Sequence, residues 1–222
     1  MERRRLKQML ALCAGAVGFT VAISGATGGL GRELCQQSVD RGWNTLALTR
    51  NTGSRVMAPI RYAGMVDVPT EKEEISSPLM TVLHHDDAIA VQAPYDALIL
   101  ALGGKPLKSD GTTRVVETIC ANLPHTCKAV CLVSAYGVGS SLEGSNVGIR
   151  LMESWYLQDV YAAKRAQENI VRDMRTKNMQ ILILRPKALS YGRLTPFDTS
   201  LPRKDLAGNI LEWCCSSSLT VD

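Results

Sequence analysis

The sequence predicts an α/β domain built on one doubly wound parallel sheet. Three observations carry this. Apolar runs alternate with amphipathic stretches along most of the chain, the period of strand–helix–strand units. In Asp96-Ala-Leu-Ile-Leu-Ala-Leu-Gly103-Gly104 the stretch from Ala97 to Leu102 is continuously apolar, as a strand buried on both faces must be. The first run, Phe19 to Ile23, passes into a turn punctuated by Gly25, Gly28 and Gly31.

Bulk properties narrow the class. A chain of 222 residues supports one good-sized core. Hydrophobic content of 45% with 21% charged residues is that of an ordinary globular domain. The net charge of +4 is modest, and Arg3-Arg4-Arg5 is the visible basic cluster, so no nucleic-acid partner is expected. Seven cysteines (Cys13, Cys35, Cys120, Cys127, Cys131, Cys214, Cys215) show no framework spacing. They read as reduced thiols in a reducing compartment, and a cytoplasmic location is expected. Cys127 and Cys131 are four apart but have no second ligand pair, so no metal site is expected.

Residues 1–16 form a basic, then apolar extension ahead of a domain spanning 17–222. Met1 to Lys7 is basic, Met9 to Ala16 is apolar, and Ala14 and Ala16 give an A-x-A pattern. This imitates a signal or transit peptide that would send the chain to an organelle. The alternative is a short helix or frayed extension, and the thiol-rich body favours that alternative. Thr20, Ser24 and the glycines argue against stable membrane insertion.

Phe19 to Ile23 is the first strand. The turn after it has the spacing G-x-x-G-x-x-G. The first glycine permits a sharp turn, the second lets backbone approach a pyrophosphate, and the third lets the next helix pack close to the strand. Gly25, Thr27, Gly28, Gly29, Leu30 and Gly31 are therefore candidate cofactor-binding residues, with phosphates facing the helix N-terminus. A tight strand–helix turn without a ligand is the alternative. The surrounding strand, amphipathic helix and second strand form the context in which the motif carries weight.

The first helix is expected from Gly29 to Arg41, with Leu30, Leu34, Cys35 and Val39 facing the sheet and Gly42 as its stop. The second strand is Asn44 to Thr49. NAD-preferring sites place an acid at its end; here stand Arg50 and Asn51, with Arg55 close behind. A guanidinium suits a 2′-phosphate. One charge-assisted contact contributes about 1.5–3 kcal/mol, enough for a tenfold or greater preference for NADP(H) over NAD(H). A solvated surface Arg is the alternative reading of Arg50.

Two segments compete for the third strand. Met65-Val-Asp-Val68 would put Asp67 and Val68 beside the adenine; Met80-Thr-Val-Leu83 is the rival. Glu71 to Glu74 and Ser76 to Pro78 read as a surface insertion. His84-His-Asp-Asp87 invites a metal reading, but adjacent side chains diverge on a strand or a helix. A turn or helix start with Asp in its first turn fits better. The buried strand within 96–104 closes on Ala101, Leu102 and Gly103, where a parallel strand ends beside a bound dinucleotide.

A loop is expected at Lys105 to Asp110, then a helix from Thr112 to Leu123, stopped near Pro124. The strand Ala129 to Ser134 ends in small residues. Residues 140–154 suit a substrate lid, and a long helix covers about Leu157 to Arg175, a face on which a homodimer could form. The strand Gln180 to Leu184 is halted by Arg185-Pro186, and an amphipathic helix runs from Arg203 to Cys215.

Taken in order, Ser24 to Gly31, Leu48-Thr-Arg50, Val133-Ser-Ala135, Lys164 with Glu168, Leu184-Arg-Pro186 and Lys204-Asp-Leu-Ala207 resemble the atypical short-chain dehydrogenase/reductases. That NAD(P)-binding group includes NmrA-like proteins and small biliverdin/flavin reductases. The resemblance covers residues 19–215 and implies a single Rossmann domain. In classical members a Tyr four residues before a Lys donates the proton, the Lys lowers its pKa and binds the nicotinamide ribose, and a Ser polarises the carbonyl. Lys164 fits the Lys position and Ser134 the Ser position; the Tyr position holds Val160. Tyr161, three residues before Lys164, shares its helix face and is either a substitute or a packing residue. Ser134 either orients substrate or satisfies a strand end. Pro186 lines the nicotinamide side.

The resemblance implies an NADPH-dependent reductase transferring a hydride to a small planar or carbonyl-bearing substrate of flavin, biliverdin or quinone type. Val160 in the Tyr position motivates a second reading, a non-catalytic NADP(H)-binding redox sensor with a protein partner. An isomerase or epimerase ranks last, because the span from Pro186 to Asp222 leaves little room for a nucleotide-sugar lobe.

Overall fold

The computed structural model describes residues 18–51, 53–59, 73–90, 92–103, 111–138, 158–174, 179–187, 189–190 and 201–219. The N-terminal extension, Asp67 and Val68, the 105–110 loop and the 140–154 segment lie outside the described residues.

Six parallel strands form the main sheet: β1 (Thr20–Ser24), β2 (Asn44–Thr49), β3 (Met80–His84), β4 (Ala97–Leu100), β5 (Ala129–Val133) and β6 (Gln180–Leu184). Their order is β3-β2-β1-β4-β5-β6. The chain winds outward through β2 and β3, then returns past β1 to continue in the other direction. This is the doubly wound parallel sheet expected from strand–helix alternation. The helices are α1 (Gly29–Asp40), α2 (His85–Ala90), α3 (Thr112–Ala121), α4 (Gln158–Asp173) and α5 (Arg203–Leu219).

The period of two along each strand sorts side chains into two cores. Val21, Ile23, Ala97, Ile99, Ala129 and Cys131 face one way, with Leu34 of α1 and Leu206, Ile210 and Leu211 of α5. Ala22, Leu98, Leu100, Val130 and Leu132 face the other way, with Val116 and Ile119 of α3 and Val171 of α4. The central strands β4 and β5 are buried along their whole length, which is why they read as unbroken apolar runs. Each fully buried Leu or Ile contributes about 1.5–3 kcal/mol. Phe19 meets Trp43 edge to face at 4.6 Å, closing the lower end of the sheet between β1 and β2.

The third strand is Met80–His84, pairing Thr45↔Met80 through Thr49↔His84, so the later of the two candidate segments fills that place. His84 therefore ends the strand next to β2. Val56 and Ile75 join the core where Ile75 N donates to Val56 O at 2.9 Å, pinching the inserted segment at its base. His85-Asp-Asp87 opens α2, as its acids imply. The final helix continues beyond Cys215 to Leu219. A small parallel pair, β7 (Leu189–Ser190) with β8 (Leu201–Pro202), was not foreseen, since two-residue strands carry no periodicity.

The β1–α1 turn is built on backbone contact. Gly25 has φ +88°, and a Cβ there would lie 2.6 Å from Ala101 O. A Cβ on Gly31 would lie 2.1 Å from Gly25 O and 2.8 Å from Ala26 Cα. Gly31 is thus where α1 presses onto the turn. The substitution Gly31→Ala should lower unfolding free energy by about 1–3 kcal/mol, as overpacking against rigid neighbours does. Urea denaturation followed by circular dichroism measures it, and an unchanged midpoint would refute the contact.

Candidate functional site

A crevice opens at the carboxyl ends of β1, β2 and β4, where the strand order reverses. It has a volume of about 160 Å³. Of the residues expected at a cofactor, Gly25, Thr27, Gly28, Arg50, Ala101, Leu102 and Gly103 line it together. Gly29 begins α1, Leu30 points into the core and Gly31 is spent on helix packing. Asn51 is exposed past the β2 end, where its carbonyl accepts from Thr49 Oγ1 at 3.0 Å. Arg55 does not line the crevice; its guanidinium pairs with Glu74 at 3.5 Å.

The chain fits an anionic ligand here. Among the described residues, α1 has no side-chain cap and no acid in its first turn. Its first N–H groups, left over by helix geometry, carry a partial positive charge toward the crevice. At Gly28 a Cβ would meet only Gly25 O, at 3.2 Å, so the missing side chain leaves open approach rather than relieving a clash.

His85, which the sequence reading left outside the site, also lines the crevice. It follows β3 directly, so its position is legible only once Met80–His84 is the third strand. Its Nε2 lies 3.0 Å from Ser24 Oγ in a buried hydrogen bond. Burial first, then the charges of His84 and Arg50, lower its pKa to about 4 against the opposing pull of Asp86. His85 is therefore a neutral ring at neutral pH.

The β5–β6 side carries the other candidates. Lys164, on α4 and buried, donates from Nζ to Leu102 O (2.6 Å), Val133 O (2.9 Å) and Gln167 Oε1 (3.2 Å). An ammonium has three donors, and these acceptors match them. Lys164 thus ties the ends of β4 and β5 together beneath the crevice wall that Leu102 forms. Tyr161 is buried one turn earlier on the same helix. Ser134 follows β5, with its N donating to Leu184 O at 2.7 Å, while Pro186 O accepts from Tyr136 N at 3.1 Å. These bonds extend the β5–β6 pairing past the strands.

Glu168 is fully buried and holds this corner. Its Oε1 accepts from Arg185 Nε (2.8 Å), and its Oε2 accepts from Arg185 Nη2 (2.7 Å) and Arg172 Nη2 (2.6 Å). Burial opposes its ionisation, but Arg185, the nearby Ser134 hydroxyl and Arg172 outweigh that and hold the carboxyl below its ordinary range. Ser134 Oγ lies near enough to favour that charge yet has no well-directed partner, leaving a buried hydroxyl unspent. No cluster of three or more metal-ligating side chains occurs among the described residues.

A crevice at the reversal of a parallel sheet, entered by a glycine turn and an uncapped helix, defines a dinucleotide-binding domain. The chain belongs to the NAD(P)H-binding family, whose model matches residues 25–211. The expected NAD(P)-binding Rossmann domain is borne out. No curated protein matches the sequence. The fold is that of the anaerobillin reductase ChuY of Escherichia coli O157:H7 (17% identity, TM-score 0.57, 87% of this chain and 89% of that one). It is also that of a carbonyl reductase of Pseudomonas aeruginosa PAO1 (14%, TM-score 0.59, 90% and 92%). The Bordetella bronchiseptica enzyme WbmH, solved with NAD+, shares it too (12%, TM-score 0.56, 91% and 73%).

The His85 environment has a measurable consequence. Unfolded, the ring takes a proton near 6.5; folded, it does so only at about 4. The unfolded state binds more protons in between, so His85 reduces stability progressively as pH falls from about 6.5 to about 4. His85→Gln should flatten that part of the stability–pH curve. Glu168, whose folded pKa is depressed from 4.5, contributes above that value and loses its contribution as pH falls below it, in both proteins. Chemical denaturation across this pH range is the test; a slope unchanged by the substitution would count against a neutral His85.

Proposed function

We propose that this protein is an NADPH-dependent reductase that delivers a hydride to a small planar or carbonyl-bearing substrate. The observation that carries the reading is the β2 end: Arg50 lines the crevice where an NAD-preferring site would place an acid. Family membership and the fold support a nicotinamide cofactor; the 2′-phosphate and the substrate are our reading.

NADPH, when bound, supplies the hydride. The turn Gly25–Gly28 and the first turn of α1 receive the pyrophosphate, and Arg50 receives the 2′-phosphate. Lys164 acts as a positioning residue, fixing the β4 and β5 ends through Leu102 and Val133. Ser134 is the hydroxyl available to polarise a substrate oxygen, being buried at the β5 end with its Oγ unsatisfied. Tyr161 and Pro186 complete the wall on that side, and with Val160 in the classical tyrosine position the final proton comes from solvent. Six described cysteines, all buried thiols, support a reducing, cytoplasmic setting. No helix among the described residues is long and apolar enough to cross a membrane.

A second reading has its own observation. The Lys164 ammonium is engaged with backbone and Gln167, as suits a protein that binds NADP(H) and senses its redox state without turning it over. Multiple-turnover oxidation of NADPH by flavins, biliverdin or quinones would eliminate it.

Two predictions separate binding from chemistry. Arg50→Ala should weaken NADPH binding about tenfold, roughly 1.4 kcal/mol, and leave NADH binding nearly unchanged. Fluorescence titration of both nucleotides measures this, and equal losses would remove the 2′-phosphate assignment. Ser134→Ala should lower kcat about 100-fold while leaving the NADPH Kd within twofold. Unchanged kcat would take Ser134 out of the chemistry.

A further inference from the structure

A cavity of about 330 Å³ lies between α2 and α3, on the face of the sheet that α3 and α4 cover. It arises from helix length. Helix α2 has six residues, about 9 Å, beside the ten, about 15 Å, of α3, so it stops short of the end of its neighbour. Ile119 and Leu123 are left lining the space. Leu48 and His85 line both this cavity and the glycine crevice, so their side chains form a wall between the two. None of Ser134, Tyr161 or Lys164 lines it.

We propose that this cavity is a second small-molecule site, taking an uncharged ring compound that carries a carbonyl or another hydrogen-bond acceptor. The volume lies in the range of small-molecule pockets, about 300–1,000 Å³. Among the described residues that line it there is no Asp, Glu, Lys or Arg. An ionised ligand would lose its water there and meet no counter-charge, whereas a neutral one would not. The lining is graded: Leu48, His85, Tyr95 and Ile119 are buried, while Gln92, Asn122 and His125 are exposed at the rim. That grading receives an apolar ring at the bottom and polar substituents at the mouth.

Tyr95 supplies the bond that fixes orientation. It is only 6% exposed, and its hydroxyl has no hydrogen-bond partner among the described residues. Burial, then the thiols of Cys127 and Cys120, push its pKa upward, so the hydroxyl keeps its proton and is a donor awaiting an acceptor. At the rim, Asn122 Nδ2 donates to Thr118 O at 2.8 Å, which leaves its amide oxygen to accept. Gln92 ends α2 with φ +45°, where glycine is usual; Gln92 N donates to Ile89 O at 3.0 Å and Ala93 N to Ala88 O at 3.2 Å. A side chain kept at a strained position on a cavity wall is the pattern of a ligand clamp. The inference holds whichever nucleotide the crevice takes.

The test titrates the full chain with coumarin, 2-quinolinone and the anionic coumarin-3-carboxylate by ligand-observed NMR, with and without saturating NADPH, in wild type, Tyr95→Phe and Leu123→Trp. The two neutral compounds should bind wild type with Kd of about 1 mM or below, and the carboxylate at least tenfold more weakly. Tyr95→Phe should weaken the neutral compounds about fivefold. Leu123→Trp, which fills the space, should abolish their binding, and both variants should keep the NADPH Kd within twofold. If Leu123→Trp does not fold, Tyr95→Phe decides alone, since it removes one oxygen. Wild type that binds neither neutral compound, or a Tyr95→Phe protein that binds them as wild type does, would overturn the site. A carboxylate bound as tightly as coumarin would overturn the uncharged class. Competitive displacement of coumarin by NADPH would put the probe in the crevice and overturn the second site. Failure of NADPH itself to bind would remove the cofactor reading and leave the comparison of variants to decide this one.

Discussion

Backbone against backbone at the β1 turn is the contact on which the rest depends. With no Cβ at Gly25, the turn lies against the carbonyl of Ala101; with none at Gly31, the start of α1 lies against Gly25. The two contacts set the heights of β4 and α1 relative to β1 at one stroke. The helix terminus, the opening of the crevice and the aim of Leu102 and Gly103 all follow from them. Larger side chains at either place would separate the layers and remove the site along with the packing.

The opposite half of the site is held by charge. α4 sends Lys164 to two strand-end carbonyls and Glu168 to two arginines, so this helix grips β4, β5 and the end of β6 through polar contacts. Burying a cation and an anion on one helix is tolerable because each is surrounded by partners; removing one partner would leave a desolvated charge. The two halves differ in kind: a glycine half that accommodates and a charged half that fixes.

Strands that pass through the middle of the sheet were legible in the sequence because burial on both faces writes itself as uninterrupted apolar residues. β2 and β5 match their expected segments within one residue, and β4 lies inside its expected run; β6, at the other sheet edge, was found because Arg185-Pro186 marks its end. β3 was ambiguous because Met65 to Val68 offered a rival apolar run and, unlike β6, no Arg-Pro stop marks its end. That ambiguity hid His85 and His84, whose places follow from strand order. The glycine turn was readable from its spacing together with the strand and helix around it, and Arg50 from its place at the end of the second strand. The partners of Lys164 were not, since Leu102 and Val133 are distant in sequence and meet it only through the fold.

The six described thiols carry a kinetic meaning. Each is buried, and desolvation pushes Cys35 and Cys127 up to about 12 and raises Cys131 and Cys214 as well. At these four positions thiolate, the form that reacts with oxidants and alkylating agents, is nearly absent while the domain is closed. Since Cys131 lies in a central strand and Cys214 in the helix covering it, a reagent reaches them only when the layers part. The protein therefore carries its own clock for opening: the rate at which a thiol reagent labels these sulfurs follows the excursions of its core, with no engineered cysteine.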